Sequence, residues 1–243
     1  LHCVTRRQRQ MCIRDREVGV PFSDPMSEGP VIQKGHERAL ARGMSLQRVL
    51  DMVSVFRQDD DKTPIVMMGY ANPIERFGYE RFASACVKAG VDALITVDLP
   101  PEEVDEIDGA LQAVGLDNIF LISPTTPEAR IQTIVERARG FIYCVAVKGV
   151  TGSGQLNADE VSRSVALIRE KTDLPIAVGF GIKDAESARA IAASADAVVV
   201  GSALIAEMDK KAQSDEDLQE IQIHDAAVQL LQSMRAGVDS SPS

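Results

Sequence analysis

The chain has 243 residues, 45% of them hydrophobic and 26% charged, which is room for one large α/β domain or two small ones. A net charge of -10 and a pI near 4.9 argue against a nucleic-acid surface or an anionic membrane face. Apolar runs such as 195–200 are too short to cross a bilayer, so neither nucleic acid nor membrane is expected as a partner.

The four cysteines, Cys3, Cys12, Cys86 and Cys144, follow no metal or disulfide spacing. With no apolar segment of the secretory kind, a reducing cytoplasm fits best, and no metal site is expected. Residues 1–16 are arginine-rich in an otherwise acidic chain and carry almost no apolar periodicity. They are expected to be a non-native or disordered segment joined to a domain that spans residues 17–236, followed by a disordered tail over 237–243.

Glu17-Val-Gly-Val-Pro-Phe-Ser-Asp-Pro-Met-Ser-Glu-Gly-Pro30 reads as the end of a buried strand running into a proline-stiffened loop. Glu17 stands in the apolar strand end, where desolvation raises a carboxyl pKa toward the acid/base range. An ion pair with a lysine would be the ordinary alternative. Helical spacing follows from Gln33 to Arg57 with a break at Arg42-Gly43, and Ser45 is placed to cap a helix through Phe56. Strands are predicted over 64–69, 92–98, 118–123, 140–146, 174–178 and 195–200, with helices between them. Those helices run from Tyr79 to Ala89 with Gly90 at the C-terminal cap, up to Val114, after a Thr126 cap with Pro127 in the first turn, and from the Asn157 cap to Lys171. The last runs from 216 to 234.

Continuous apolar strands at this spacing belong to a parallel sheet covered on both faces. Equal units, with Gly179-Phe-Gly181 and Gly201-Ser202 after the last two strands, favour a (β/α)8 TIM barrel of the phosphate-binding type over a doubly wound sheet. Counting from Glu17, the barrel lacks its first β/α unit, which predicts exposed strand edges and an unstable or inactive chain. Backbone N–H groups at the two glycine turns, with the helix that starts at Ser202, are the expected phosphate donors. Gly149-Val-Thr-Gly-Ser-Gly154 suits a mobile lid or, equally, a plain loop. His2, His36 and His224 lie away from every strand end, which leaves proton transfer to carboxylates or tyrosine. Asp98 is left between an orienting role and a helix cap.

These motifs resemble the tryptophan synthase α subunit family. The stretch from Glu17 to Gln33 is close to that family's signature, and Tyr70-Ala-Asn-Pro, Val97-Asp-Leu-Pro, Gly149-Val-Thr-Gly, Gly179-Phe-Gly-Ile and Gly201-Ser-Ala match its other strand ends in order. The resemblance implies an aldolase-type lyase that cleaves indole-3-glycerol phosphate to indole and glyceraldehyde 3-phosphate with no cofactor of its own. It also implies an α2β2 complex with a pyridoxal-phosphate β subunit. On the same basis Glu17 is the acid/base, and Glu28, where many members carry aspartate, accepts the indole N–H. Thr151 is the lid residue. Gly181, Gly201 and Ser202, with Gly152 and Phe180, hold phosphate, while Tyr70, Leu99, Ile122 and Tyr143 wall the indole pocket. Another phosphate-binding barrel would show a strand-end lysine or a metal-ligating His/Asp set, and neither is evident. A non-catalytic subunit that only activates its β partner is the remaining alternative.

Overall fold

The computed structural model describes residues 2–5, 15–146, 157–179, 181–214 and 220–240. Eight strands close into a barrel in chain order: β1 (His2–Thr5), β2 (Asp15–Gly19), β3 (Ile65–Gly69), β4 (Ala93–Thr96), β5 (Asp117–Ile122), β6 (Ile142–Val145), β7 (Ile176–Gly179) and β8 (Ala197–Val200). From β2 to β8 every pair is parallel.

The barrel lacks its first parallel β/α unit, as expected, but the strand edges this leaves are not exposed, and Asp15 and Arg16 belong to the first parallel strand. β1 pairs antiparallel with both β2 and β8, occupying the gap between the first and last parallel strands. β2 starts at Asp15, inside the segment set aside on composition. Nine residues, 6–14, separate β1 from β2, and a parallel return needs a crossover of about a dozen or more. An antiparallel neighbour is what so short a connection allows. The unpaired backbone of β2 and β8 is what such a strand satisfies.

The helices follow local signals. Pro30 takes the first position of α1 (Pro30–Ala41), where a missing N–H costs nothing, so α1 begins three residues before the apolar periodicity does. Ser45 caps α2 (Leu46–Phe56) by accepting from Arg48 N–H at 3.4 Å. After β3 comes a short helix the periodicity did not predict, α3 (Ala71–Phe77). Pro73 is tolerated in its first turn. α4 (Tyr79–Ala89) ends at the left-handed Gly90, and α5 is Asp105–Ala113. α6 (Glu128–Arg137) starts one residue later than predicted, so Pro127 is its N-cap and Thr126 does not cap it. Asn157 caps α7 (Ala158–Arg169) by accepting from Asp159 and Glu160 N–H groups, and Asp184 with Ser187 forms a capping box for α8 (Ala185–Ala192). α9 is Ser202–Ser214 and α10 Glu220–Asp239.

The C-terminal expectation is also corrected: α10 runs past Met234, and Val238 is buried. Gly237 lets α10 lie against α8, because a Cβ there would collide with the Ala185 carbonyl oxygen.

Two apolar layers result. Val66, Met68, Ala93, Ile95, Ile119, Tyr143, Ala177, Ala197 and Val199 fill the barrel. Met67, Leu94, Phe120, Ile142, Ile176 and Val198 face the helices with Phe82, Leu111, Ile131 and Ile168. Arg57 ties the lower rim together. Its guanidinium donates to the carbonyls of Gly90 (2.7 Å), Thr63 (2.7 Å) and Asp60 (3.1 Å) and pairs with Asp92 at 2.7 Å.

Candidate active site

Glu17 projects into the barrel. It is in register with Val66, which lines the interior, and residues side by side on parallel strands share a face. The residue is 3% exposed, and neither carboxylate oxygen has a hydrogen-bond partner among the described residues. Burial, reinforced by the Glu28 charge, pushes its pKa up to about 7. The lysine ion pair offered as the ordinary alternative is absent among the described residues.

Above Glu17, at the C-terminal mouth, a cleft is lined by Gly19, Val20, Glu28, Ile32, His36, Met68, Gly69, Tyr70, Val97, Tyr143, Gly201 and Ser202. It gathers five of the expected site residues: Glu28, Tyr70, Tyr143, Gly201 and Ser202. Glu17 lies one layer deeper than Gly19 and is not part of the lining.

The loop that carries Glu28 is held by named bonds. Phe22 stacks on Tyr70 with ring centroids 5.3 Å apart, and Ser27 N–H donates to Tyr70 Oη at 3.2 Å. Gln33 Nε2 donates to the Glu28 carbonyl at 2.8 Å, and Glu28 N–H to the Pro25 carbonyl at 3.0 Å. Glu28 itself is 8% exposed. Burial, with the Glu28 charge behind it, raises the Tyr70 pKa and keeps the phenol protonated. Asp98 accepts from Ala71 N–H at 2.7 Å, so it caps α3 from the turn that follows β4 and thereby sets the backbone beside Tyr70.

Tyr143 reaches across to β7. A Cβ at Gly179 would overlap the Tyr143 hydroxyl, so the glycine makes room for the phenol. Ser202 opens α9 with no acidic residue in the first turn, which leaves the positive end of that helix facing the cleft. Gly181 holds a φ of +79°, a conformation that favours glycine, but is not part of the lining.

Two expected pocket residues belong elsewhere. Ile122 packs in the outer layer against the helices, and its neighbour Leu121 packs against the barrel interior. Leu99 packs against the outer layer and lines a separate hollow between the ends of β4 and β5. Thr151, Gly152 and Phe180, with the 149–154 lid, lie outside the described residues. Met68, Val97 and His36 line the cleft and were missed. His36 was placed away from every strand end, yet α1 folds it back over β2. The helical spacing of Ile32, His36 and Ala39 was the available signal. Among the described residues no cluster of three or more His, Cys, Asp or Glu side chains is arranged to hold a metal ion, and no helix is long and apolar enough to cross a membrane.

A desolvated carboxyl, unpartnered among the described residues, inside a barrel of seven parallel strands and under a mouth lined by a second carboxyl and two tyrosines, places the chain among (β/α)-barrel enzymes that move protons with carboxylates. The model of one family, tryptophan synthase alpha chain, matches residues 13–235. The chain belongs to that family. It is 53% identical over 224 residues to the tryptophan synthase alpha chain of Bordetella parapertussis, covering 92% of this chain and 79% of that one. It is 56% identical over 193 residues to that of Laribacter hongkongensis, covering 79% and 73%. The crystal structure of tryptophan synthase subunit alpha from Legionella pneumophila superposes with a TM-score of 0.83 at 43% identity, covering 93% of this chain and 82% of that one. A structure describing mutual activation of the tryptophan synthase α2β2 complex of Pyrococcus furiosus matches with a TM-score of 0.78 at 30% identity, covering 91% and 86%.

Proposed function

We propose that this chain cleaves indole-3-glycerol phosphate to indole and glyceraldehyde 3-phosphate, with Glu17 as the single group that both gives and takes the proton. The observation that carries the assignment is the buried Glu17 carboxyl, unpartnered among the described residues, with a pKa raised to about 7. Near neutrality such a group is populated in both protonation states, which a sequential acid/base requires. The protonated carboxyl delivers its proton to indole C3, and the positive charge that develops on the ring nitrogen is met by Glu28. The resulting carboxylate then removes the proton from the glycerol hydroxyl next to the ring. The C–C bond to C3 breaks, its electron pair restores the aromatic indole, and the hydroxyl carbon leaves as the aldehyde.

Glu28 supplies preorganised negative charge on a loop pinned at Phe22, Ser27 and its own carbonyl. Tyr70 and Tyr143, with Met68 and Val97, wall the ring. Gly201 and Ser202 offer backbone donors and a helix N-terminus to the phosphate, joined by Gly181 and by residues Gly152 and Phe180. Thr151 closes over Glu28 as the lid residue. The chain works in an α2β2 complex with a tryptophan synthase β subunit. The Pro21–Pro30 loop, whose Met26 is 68% exposed, and the 149–154 stretch form the contact. A phosphorylated substrate that does not cross membranes, together with free buried thiols at Cys86 and Cys144, fits a cytoplasmic setting.

Indole release from indole-3-glycerol phosphate tests the assignment. Glu17→Gln keeps the shape and removes the titrating group, and should cost about 10²–10⁴-fold in turnover. A Glu17→Gln protein that is folded and as active as the parent overturns it. Addition of a β subunit should raise turnover, and an unchanged rate sinks the coupling.

A further inference from the structure

The face that α1 turns toward the barrel is Ile32, Gly35, His36 and Ala39, apolar except for one imidazole. His36 stands at a junction. On one side it lines the cleft of Glu28, Tyr70 and Tyr143. On the other it borders an apolar hollow of about 280 Å³ among β2, α1, α2 and α9. Its Nδ1 accepts a hydrogen bond from Phe22 N–H at 3.0 Å. An imidazole that accepts through Nδ1 is neutral and keeps its proton on Nε2. Burial favours that neutral state, holding the His36 pKa below its usual value.

The bond reaches further than one amide. Phe22, fixed by His36, stacks on Tyr70, and Tyr70 Oη accepts from Ser27 N–H, the residue directly before Glu28. The loop is therefore held at both ends through one connected set, His36 to Phe22 to Tyr70 to Ser27. The segment between the two anchors carries the exposed Ser23, Asp24 and Met26.

We propose that His36 is a positioning residue for the lyase reaction, fixing the loop through Phe22 so that Glu28 is delivered to the indole nitrogen. The inference rests on Glu28 as the acceptor of that N–H. A purely space-filling role for His36 makes a different prediction, because an apolar side chain of similar size fills the hollow equally well.

Two variants of the full chain separate the roles. In His36→Asn the carboxamide oxygen stands close to where Nδ1 stood and accepts from Phe22. In His36→Leu the volume is kept and the acceptor is lost. His36→Leu should lower kcat about tenfold, because small misplacements of a catalytic group are costly, with KM for indole-3-glycerol phosphate changed less than about twofold. His36→Asn should recover kcat to within about threefold of the parent. Hydrogen exchange at the Phe22 amide should be about tenfold faster in His36→Leu than in the parent or His36→Asn, the scale of one lost hydrogen bond. Equal kcat in the two variants, or equal Phe22 protection in all three proteins, overturns the proposal. If the parent releases no indole, the lyase assignment fails, and the exchange comparison still decides whether His36 holds the loop.

Discussion

Replacing Glu17 with glutamine should remove most of the activity and, with it, a pH-dependent penalty on stability, and a pH series should expose that second effect. A glutamate titrates near 4.5 when unfolded and near 7 when buried here, so between those values the native state binds more protons than the unfolded one. Stability must then fall as pH rises through that window. The shift corresponds to about 3 kcal/mol of destabilisation, absent below pH 4.5 and fully present above pH 7. About 2 kcal/mol of this falls between pH 5.5 and 8.5, a range that stays clear of the isoelectric point. Glutamine does not titrate, and its buried amide carries a constant desolvation cost of about 1–3 kcal/mol. The informative quantity is therefore the change in the variant-minus-parent difference with pH. Urea denaturation of both proteins at pH 5.5, 6.5, 7.5 and 8.5 should show Glu17→Gln gaining about 2 kcal/mol on the parent across the series. A difference that stays flat would mean that Glu17 is not held in a low-dielectric site, and the argument for its raised pKa would fail with it.

Other perturbations follow from contacts already described. Gly179→Ala forces a methyl into the Tyr143 hydroxyl and should cost about 1–3 kcal/mol by thermal melting, along with weaker substrate binding as the phenol is displaced. An unchanged melting temperature and KM would show that Tyr143 moves freely. Arg57→Met removes four bonds from a guanidinium that joins the C-terminal cap of α4 to the starts of β3 and β4, and should lower the urea midpoint by the equivalent of about 2–4 kcal/mol. In Asp108, burial opposes ionisation, but hydrogen bonds from Arg139, Asn118 and Gln112 outweigh it and hold the pKa below the ordinary carboxylate value. Its contribution is present at neutral pH and lost as pH falls through the native pKa, so Asp108→Asn should destabilise less in acid than at pH 7. A penalty that does not shrink in acid would refute the charged pairing.

Much of the barrel was legible because its punctuation is chemical. Ser45, Asn157 and Gly90 sit at helix ends for reasons that residue type alone supplies, and all three hold those positions. The parallel strands were legible because continuous apolar runs between helical stretches have few other uses. β1 was not, since a four-residue strand has no periodicity to read and its place is set by the two edges it satisfies. α3 hides for a related reason: its seven residues hold a proline, and its start is capped by Asp98 from the turn after β4. His36 escaped because a histidine on a helix reads as remote from strand ends until the helix is folded back over the sheet.

The misplacement of Ile122 has a cause that lies in the same apolar runs. A strand with one polar face announces which residues point inward, whereas a strand buried on both faces does not, so its phase is invisible in the sequence. Register then supplies what composition withholds. In the barrel Leu121 pairs with Tyr143 and Ile122 with Cys144. Paired residues on parallel strands share a face and successive residues alternate, so Tyr143 and Ile122 cannot both look into the barrel. Tyr143 is the one fixed independently, because its hydroxyl needs the space that Gly179 leaves open. With Tyr143 inside, Leu121 must join it and Ile122 must face the helices, where it is found. Glu17 fixes the other end of the sheet in the same way: a carboxylate with no outward partner sits inward, and its pairing with Val66 carries that phase to β3. One tyrosine and one glutamate therefore determine, through register, which alternate residues of the intervening strands build the pocket.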